Sequence, residues 1–331
     1  GSASAHEARL AALVCARVPS IERVRFCNSG TEANIMALVT ANAVTERGKI
    51  MVFEGAYHGG TLSFPPGGSP INVPFDFILA PYNDIDGTSA LFDQHGDTLS
   101  AILVETMQGA GGCIPGAPEF LTMLRERATK HGAILIFDEV MTSRLGPNGR
   151  QGALNIIPDM TTLGKYVGGG MTAGAFGGRA DIMAHYDPRE KGHFVHHGTF
   201  NNNVLTLAGG AAGLEKVYTP EVATALTASG ETLRTRLNAL GQKHGLPFQA
   251  AGYGSLMNIH FVNGELRSHK DLAGRNLTAL DLFHLEMIAA GIYITRRGYM
   301  ALSLALTDDD HDYFVAEVDK FLTNNGALIA P

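Results

Sequence analysis

The 331-residue sequence contains no tryptophan and only three cysteines, Cys15, Cys27 and Cys113. The number is odd and no pair is spaced as CxxC, so neither a disulfide framework nor a zinc site is indicated. A reducing cytoplasm is the expected setting. No apolar run reaches the length of a membrane span, and no basic segment followed by an apolar one opens the chain. Positive charge is in deficit, with 25 Lys and Arg against 32 Asp and Glu for a net −7. That balance argues against a broad nucleic-acid footprint. Repeats, low-complexity tracts and charge blocks are also missing. Glycine is abundant, at 40 residues. Much of it clusters beside polar residues, where backbone can approach a ligand closely.

The first two-thirds of the chain alternate apolar, β-branched runs with helical patterns. "RVRFCN", "KIMVFEG", "LSAILVET" and "AILIFDEV" read as strands; "GTEANIMALVTANAVTERG" and "PEFLTMLRERATKHG" read as helices. This alternation predicts an α/β fold with a mostly parallel sheet flanked by helices. Strands apolar along their length are what burial on both faces demands. After "GTFNNN" the texture changes to long helices, broken near Thr219-Pro220, and then to "GSLMNIHFV" as a strand and "DLFHLEMIAAG" as a helix. "GIYITRRGYMALSLAL" resembles a strand pair, and "DDDHD" reads as the capping charge of a terminal helix. The expected division is a large domain over residues 1–215 and a smaller C-terminal α+β domain over 216–331.

Four short stretches carry chemistry-bearing residues. In "NSGTEAN", Ser29, Gly30 and Thr31 stand where a helix begins, either as an N-cap or as N–H and hydroxyl donors for a phosphate. In "EGAYHGG", Tyr57 either covers the core or offers a ring face to a flat ligand at the sheet edge. In "AILIFDEV", Asp138 follows a central strand and is expected to be largely buried, so it needs a cation or strong donors. Arg144 could serve as that partner, and so could the protonated ring nitrogen of a cofactor. In "TTLGKYVGGG", Lys165 is either a surface residue or an amine at close quarters, buried enough to act as a nucleophile. Together the four match the needs of pyridoxal phosphate (PLP): a phosphate cup, a stacking face, a carboxylate for the ring nitrogen and an amine for a Schiff base. "GHFVHHG", with His193, His196 and His197, lacks a carboxylate or cysteine at ligand spacing and reads as a loop near the site. Cys113 reads as a small packed residue.

"FCNSGTEAN", "YHGG", "FDEVMTSR", "TTLGKYVGGGMTAGAFGGR" and "HGTFNNN", in this order, resemble the class III (ω-type) aminotransferases of the fold-type I PLP enzymes. Within that family, "DEVMTSR" with "GTFNNN" is most similar to the enzymes acting on β-amino acids such as β-phenylalanine. The lysine segment is also similar to glutamate-1-semialdehyde aminomutases, which tend to carry Ser-Gly-Asn-Pro where this chain has Asn201, Asn202 and Asn203. The resemblance implies Lys165 as the Schiff-base lysine and Asp138 as the partner of the pyridinium nitrogen. It implies Ser29, Gly30 and Thr31 on the phosphate, Tyr57 on one ring face, Val140 on the other, and Glu105 near the phenolic side. The family usually has proline after that glutamate; here the residue is Thr106. Thr199 would reach the phosphate of a neighbouring subunit, making a homodimer part of the site. Arg297 matches the arginine that takes the substrate carboxylate, with Arg296 beside it. Relatives carry an N-terminal arm and small-domain strands before the first helix, and this chain opens almost at that helix.

The implied activity is ping-pong transfer of an amino group from a β-amino acid to a keto acid, 2-oxoglutarate or pyruvate. The alternatives are a glutamate-1-semialdehyde 2,1-aminomutase-like enzyme and a non-catalytic binding protein on the same fold.

Overall fold

A computed structural model describes residues 4–330. The chain forms two compact units: one runs to Thr106 and resumes over Gly116–Ala223, and the other comprises Met107–Pro115 and the chain from Thr224 onward.

The first unit is built on a seven-stranded sheet in the order β1-β9-β8-β7-β4-β2-β3. The strands are β1 (Arg23–Cys27), β2 (Lys49–Phe53), β3 (Asp76–Ala80), β4 (Leu99–Glu105), β7 (Ile134–Asp138), β8 (Met160–Gly164) and β9 (Gly174–Gly178). Only β9 runs against the others. Every residue of β4, β7 and β8 is buried. Their unbroken apolar character therefore reflects two covered faces rather than one. Helix α1 (Ala5–Arg17) is capped by Ser4, α2 (Gly30–Thr45) by Ser29 and α3 (Ile85–His95) by Asp84. Proline opens α4 (Pro118–His131), and Gly132 ends it in a left-handed turn at φ 65°. Proline at a first turn and glycine just past a last turn follow the donor and φ requirements of helix ends. The short α5 (Gly149–Leu154) and α6 (Ala180–Ala184), then α7 (Val204–Ala212), complete the unit. Helix α2 leaves edge strand β1 and packs across β9, β8, β7 and β4. That crossing carries the α2 N-terminus over the middle of the sheet.

In the second unit, β10 (Gln249–Tyr253), β11 (Leu256–His260) and β12 (Tyr299–Ala301) form an antiparallel sheet. Helix α9 (Leu277–Ala289), helix α10 (Asp308–Ile329) and most of α8 (Pro220–His244) accompany it. Phe248, Phe261, Phe283 and Phe321 meet edge to face in its core. Thr307 and Asp310 close a capping box on α10, as the acidic run predicts. The small hairpin of β5 (Met107–Gln108) and β6 (Ile114–Pro115) also belongs here. His260 holds it, with Nε2 2.9 Å from the Gly112 carbonyl.

The strand pair expected over 291–306 is not formed. Only Tyr299–Ala301 pairs. Gly291 and Gly298 are left-handed, with φ of 78° and 81°, and the Gly298 N–H closes a turn on Thr295 O. Alternating apolar residues mark this segment as half-buried, but its two glycines break the extended backbone that a ladder needs.

Candidate active site

Strands β4, β7 and β8 lie side by side and parallel, with Glu105 level with Asp138 and Asp138 level with Thr162. Their C-terminal ends thus bring two carboxylates to one sheet edge, the edge where parallel sheets open a crevice. Lys165 follows directly on Gly164, the last residue of β8.

Asp138 is 5% exposed. Its Oδ2 accepts from His58 Nδ1 at 2.7 Å and from Asn34 Nδ2 at 2.8 Å, and its Oδ1 from the Val140 N–H at 3.0 Å. A carboxylate has about four acceptor directions. Three are used, leaving one on Oδ1. The Asn34 amide is itself aligned by Thr162 Oγ1, which donates to its Oδ1 at 2.6 Å. Arg144 does not take the role left open to it; its guanidinium lies 5.9 Å from the centre of the Tyr218 ring. The adjacent Glu139 is fully buried and accepts from the Arg150 and Gln151 N–H groups and from Gln151 Nε2. Burial pushes its pKa up, opposed by those hydrogen bonds.

At the start of α2, Ser29 Oγ accepts from the Glu32 N–H at 3.1 Å, and Glu32 Oε2 reaches back to the Asn28 N–H at 2.8 Å. Ser29 is therefore the cap. The capping leaves the N–H groups of Gly30 and Thr31 as open donors at the positive end of the helix. The cup is tight. A Cβ on Gly30 would lie 2.7 Å from Val140 Cγ1, and one on Gly59 would lie 2.1 Å from Thr31 Oγ1. Neighbouring Cys27 is buried, which pushes its thiol up to about 12 and makes it a packing residue rather than a nucleophile.

Tyr57 and His58 occupy the turn beyond β2. The Tyr57 N–H donates to Glu105 Oε2 at 3.0 Å, while its ring stands 49% exposed. The core-covering reading of Tyr57 is thus not met. His58 faces the other way, buried, with Nε2 unpartnered.

Of the two readings of Lys165, the structure shows the exposed one. Its side chain is exposed rather than buried. Its backbone is left-handed at φ 53°, a conformation costing a non-glycine residue about 1 kcal/mol. Gly164, immediately before it, lies against Val140 and Gly30 Cα. Gly169 follows in a left-handed turn, where a Cβ would lie 2.1 Å from Gly209 O. The glycines admit close backbone approach around the lysine.

Ser29, Gly30, Thr31, Tyr57, Glu105, Asp138, Val140 and Lys165 therefore gather at one edge of the first unit. Thr199 is exposed on a polar cleft of about 530 Å³ lined also by Glu7, Arg25, His196 and Asn201. Arg297 belongs to the second unit, its guanidinium 5.2 Å from the Tyr299 ring centre. Arg296 is bound to Asp281 through two hydrogen bonds of 2.6 and 2.7 Å. Among the described residues no group of three His, Cys, Asp or Glu could hold a metal ion. Sequence reasoning missed His58 and Asn34 as partners of Asp138. They are 80 and 104 residues away from it, and "YHGG" was the only hint.

The aminotransferase class-III family matches residues 3–322. This chain belongs to the class III aminotransferases. Such enzymes pass an amino group from a donor to a keto acid. The β-phenylalanine transaminase of Variovorax paradoxus is 55% identical over 98% of this chain and 74% of its own length. A glutamate-1-semialdehyde 2,1-aminomutase of Geobacillus kaustophilus is 36% identical, covering 97% and 78%. Among solved structures, the Variovorax β-phenylalanine aminotransferase superposes with a TM-score of 0.97 at 54% identity, over 99% of this chain and 76% of that one. An ω-transaminase from Sphaerobacter thermophilus gives 0.90 at 34%, over 98% and 79%. The aminotransferase thus spans about three-quarters of these relatives. None of its described helices is long and apolar enough to cross a membrane.

Proposed function

We propose that this aminotransferase uses PLP to move the amino group of a β-amino acid such as β-phenylalanine to 2-oxoglutarate or pyruvate. The geometric support is the strand register that sets Asp138, with one acceptor direction open, next to strand β8, whose last residue Gly164 is followed by Lys165. The donor assignment rests on the 55% identity to the Variovorax enzyme.

The residues present fit PLP. Gly30 and Thr31 offer N–H groups, and Ser29 and Thr31 hydroxyls, to a phosphate at a helix N-terminus. The exposed Tyr57 ring would cover one face of the pyridine and Val140 the other. Glu105, which holds the Tyr57 backbone, would stand on the phenolic side. The free direction on Asp138 Oδ1 would hold the ring N–H. When bound, PLP supplies an aldehyde to take the amino group and a ring to draw charge from the reacting carbon. Lys165 Nζ would take the proton from the substrate's amino-bearing carbon and deliver it to the bound cofactor before the first product leaves, and would run the same transfer in reverse for the acceptor. His58 and Asn34 keep Asp138 oriented throughout. Arg297 would take the substrate carboxylate, being without the ion pair that occupies Arg296. Thr199 would serve the phosphate of a second subunit, so the working form is a homodimer. The first unit would be the cofactor domain and the second the smaller substrate domain. Three free cysteines support a reducing, cytoplasmic setting.

The test supplies the protein with PLP, β-phenylalanine and 2-oxoglutarate or pyruvate. Glutamate or alanine should form, and Lys165→Ala should abolish both this and the yellow absorbance. Formation of 5-aminolevulinate from glutamate-1-semialdehyde alone, without transfer from any β-amino acid, would overturn the reading in favour of the aminomutase.

A further inference from the structure

The cup at the α2 N-terminus is braced by a segment far away in sequence. Asn28, the residue before the cap, donates from Nδ2 to Asn201 Oδ1 at 2.9 Å and to Glu32 Oε2 at 3.2 Å. Asn201 is 8% exposed, and its amide lies on Gly198, where a Cβ would come within 2.3 Å of Oδ1. Its Nδ2 meets His196 Nε2 at 3.2 Å. Burial and the neighbouring Arg25 lower the pKa of that imidazole. Packing on Gly198 holds the Asn201 amide, and its oxygen accepts from Asn28. Glu32 then receives both Asn28 donors and closes the first turn. Two residues before Asn201, Thr199 stands exposed on the cleft.

We propose that Asn201 is a positioning residue for the phosphate end of the cofactor site. Through Asn28 and Glu32 it keeps the Gly30 and Thr31 N–H groups converged on one point. This inference rests on the PLP reading above and extends it to a residue that touches neither cofactor nor substrate.

The experiment measures binding to the apoenzyme by absorbance, with PLP and with pyridoxal, which lacks the phosphate. Asn201→Ala should weaken PLP about tenfold and leave pyridoxal within twofold of wild type. The double variant with Asn28→Ala should bind PLP no worse than Asn28→Ala alone, since both break one chain of contacts. Equal losses for PLP and pyridoxal, or additive losses in the double variant, would overturn the proposal. So would unchanged PLP binding in Asn201→Ala. If that variant does not fold, Asn28→Ala removes the other end of the same hydrogen bond and carries the PLP-against-pyridoxal comparison. Wild-type protein that binds neither ligand would instead sink the PLP reading itself.

Discussion

Asp138 is a buried carboxylate with three of its acceptor directions filled. His58 Nδ1 and Asn34 Nδ2 load Oδ2, and the Val140 N–H loads one side of Oδ1, leaving one direction on Oδ1 open. Removing His58 leaves Oδ2 with a single donor, and Asp138 loses one of the contacts that orient it. A hydrogen bond to a charged group is worth about 1.5–3 kcal/mol. His58→Phe should therefore lower kcat some ten- to hundredfold in stopped-flow half-reactions, with PLP affinity changing less. The buried aspartate was legible because local pattern marks it, an apolar strand ending in acid. The partners of Asp138 were not. Which residue meets a carboxylate from 80 positions away depends on strand order, and periodicity within a window does not encode that order. The sequence left Lys165 open between surface and interior because glycine density fixes the backbone's surroundings and not those of a four-carbon side chain.

Among the elements, the 291–306 segment decides which arginine is available. Arg296 lies along α9, paired to Asp281 on the surface, and Arg297 rests on Tyr299. Exposed pairs of the Arg296 kind contribute about 0–1 kcal/mol. Arg296→Ala is expected to leave kcat/KM for β-phenylalanine within about twofold, whereas Arg297→Ala should raise KM by tenfold or more. Steady-state kinetics of the two variants separate them. The β5–β6 hairpin offers a second prediction, from His260. Burial pulls this imidazole down to about 4. Its folded pKa lies below the unfolded 6.5, so the unfolded chain binds the proton first as pH falls. The stability contribution is complete above about pH 6.5 and declines towards pH 4, by up to about 3 kcal/mol. Urea melts between pH 7 and 4 should lose part of that slope in His260→Gln, whose side-chain amide can still donate to Gly112 O. Helices and strands of the first unit were readable because their hydrophobic periods are long and their caps are marked. The failed strand pair shows the limit, since half-burial gives the same alternation whether or not a ladder forms.

For the whole molecule, the question is how many chains build one site. Thr199 is exposed on the polar cleft. In the homodimer proposed above, the Lys165→Ala and Thr199→Ala chains are each defective at a different half of a shared site. Unfolding and refolding an equal mixture should produce hybrid dimers in which one of two sites is intact. With random pairing, activity should recover to about a quarter of wild type, well above either variant alone. A mixture no more active than its components would show that each chain supplies its own Thr199.

The placement of Met107–Pro115 in the second unit also sets a timetable for synthesis. Its strand β6 packs beside β10, which the ribosome makes only some 130 residues later. At about 5–20 residues per second, the hairpin waits roughly 7 to 27 s for its partner. During that interval the flanking strands β4 and β7 can already pair, looping the hairpin out of a nearly finished first unit. Ribosome-bound chains halted before residue 249 should therefore be cut by protease within 107–115, while the same segment in released protein resists. The last structure to form in this chain includes one of its earlier-made pieces.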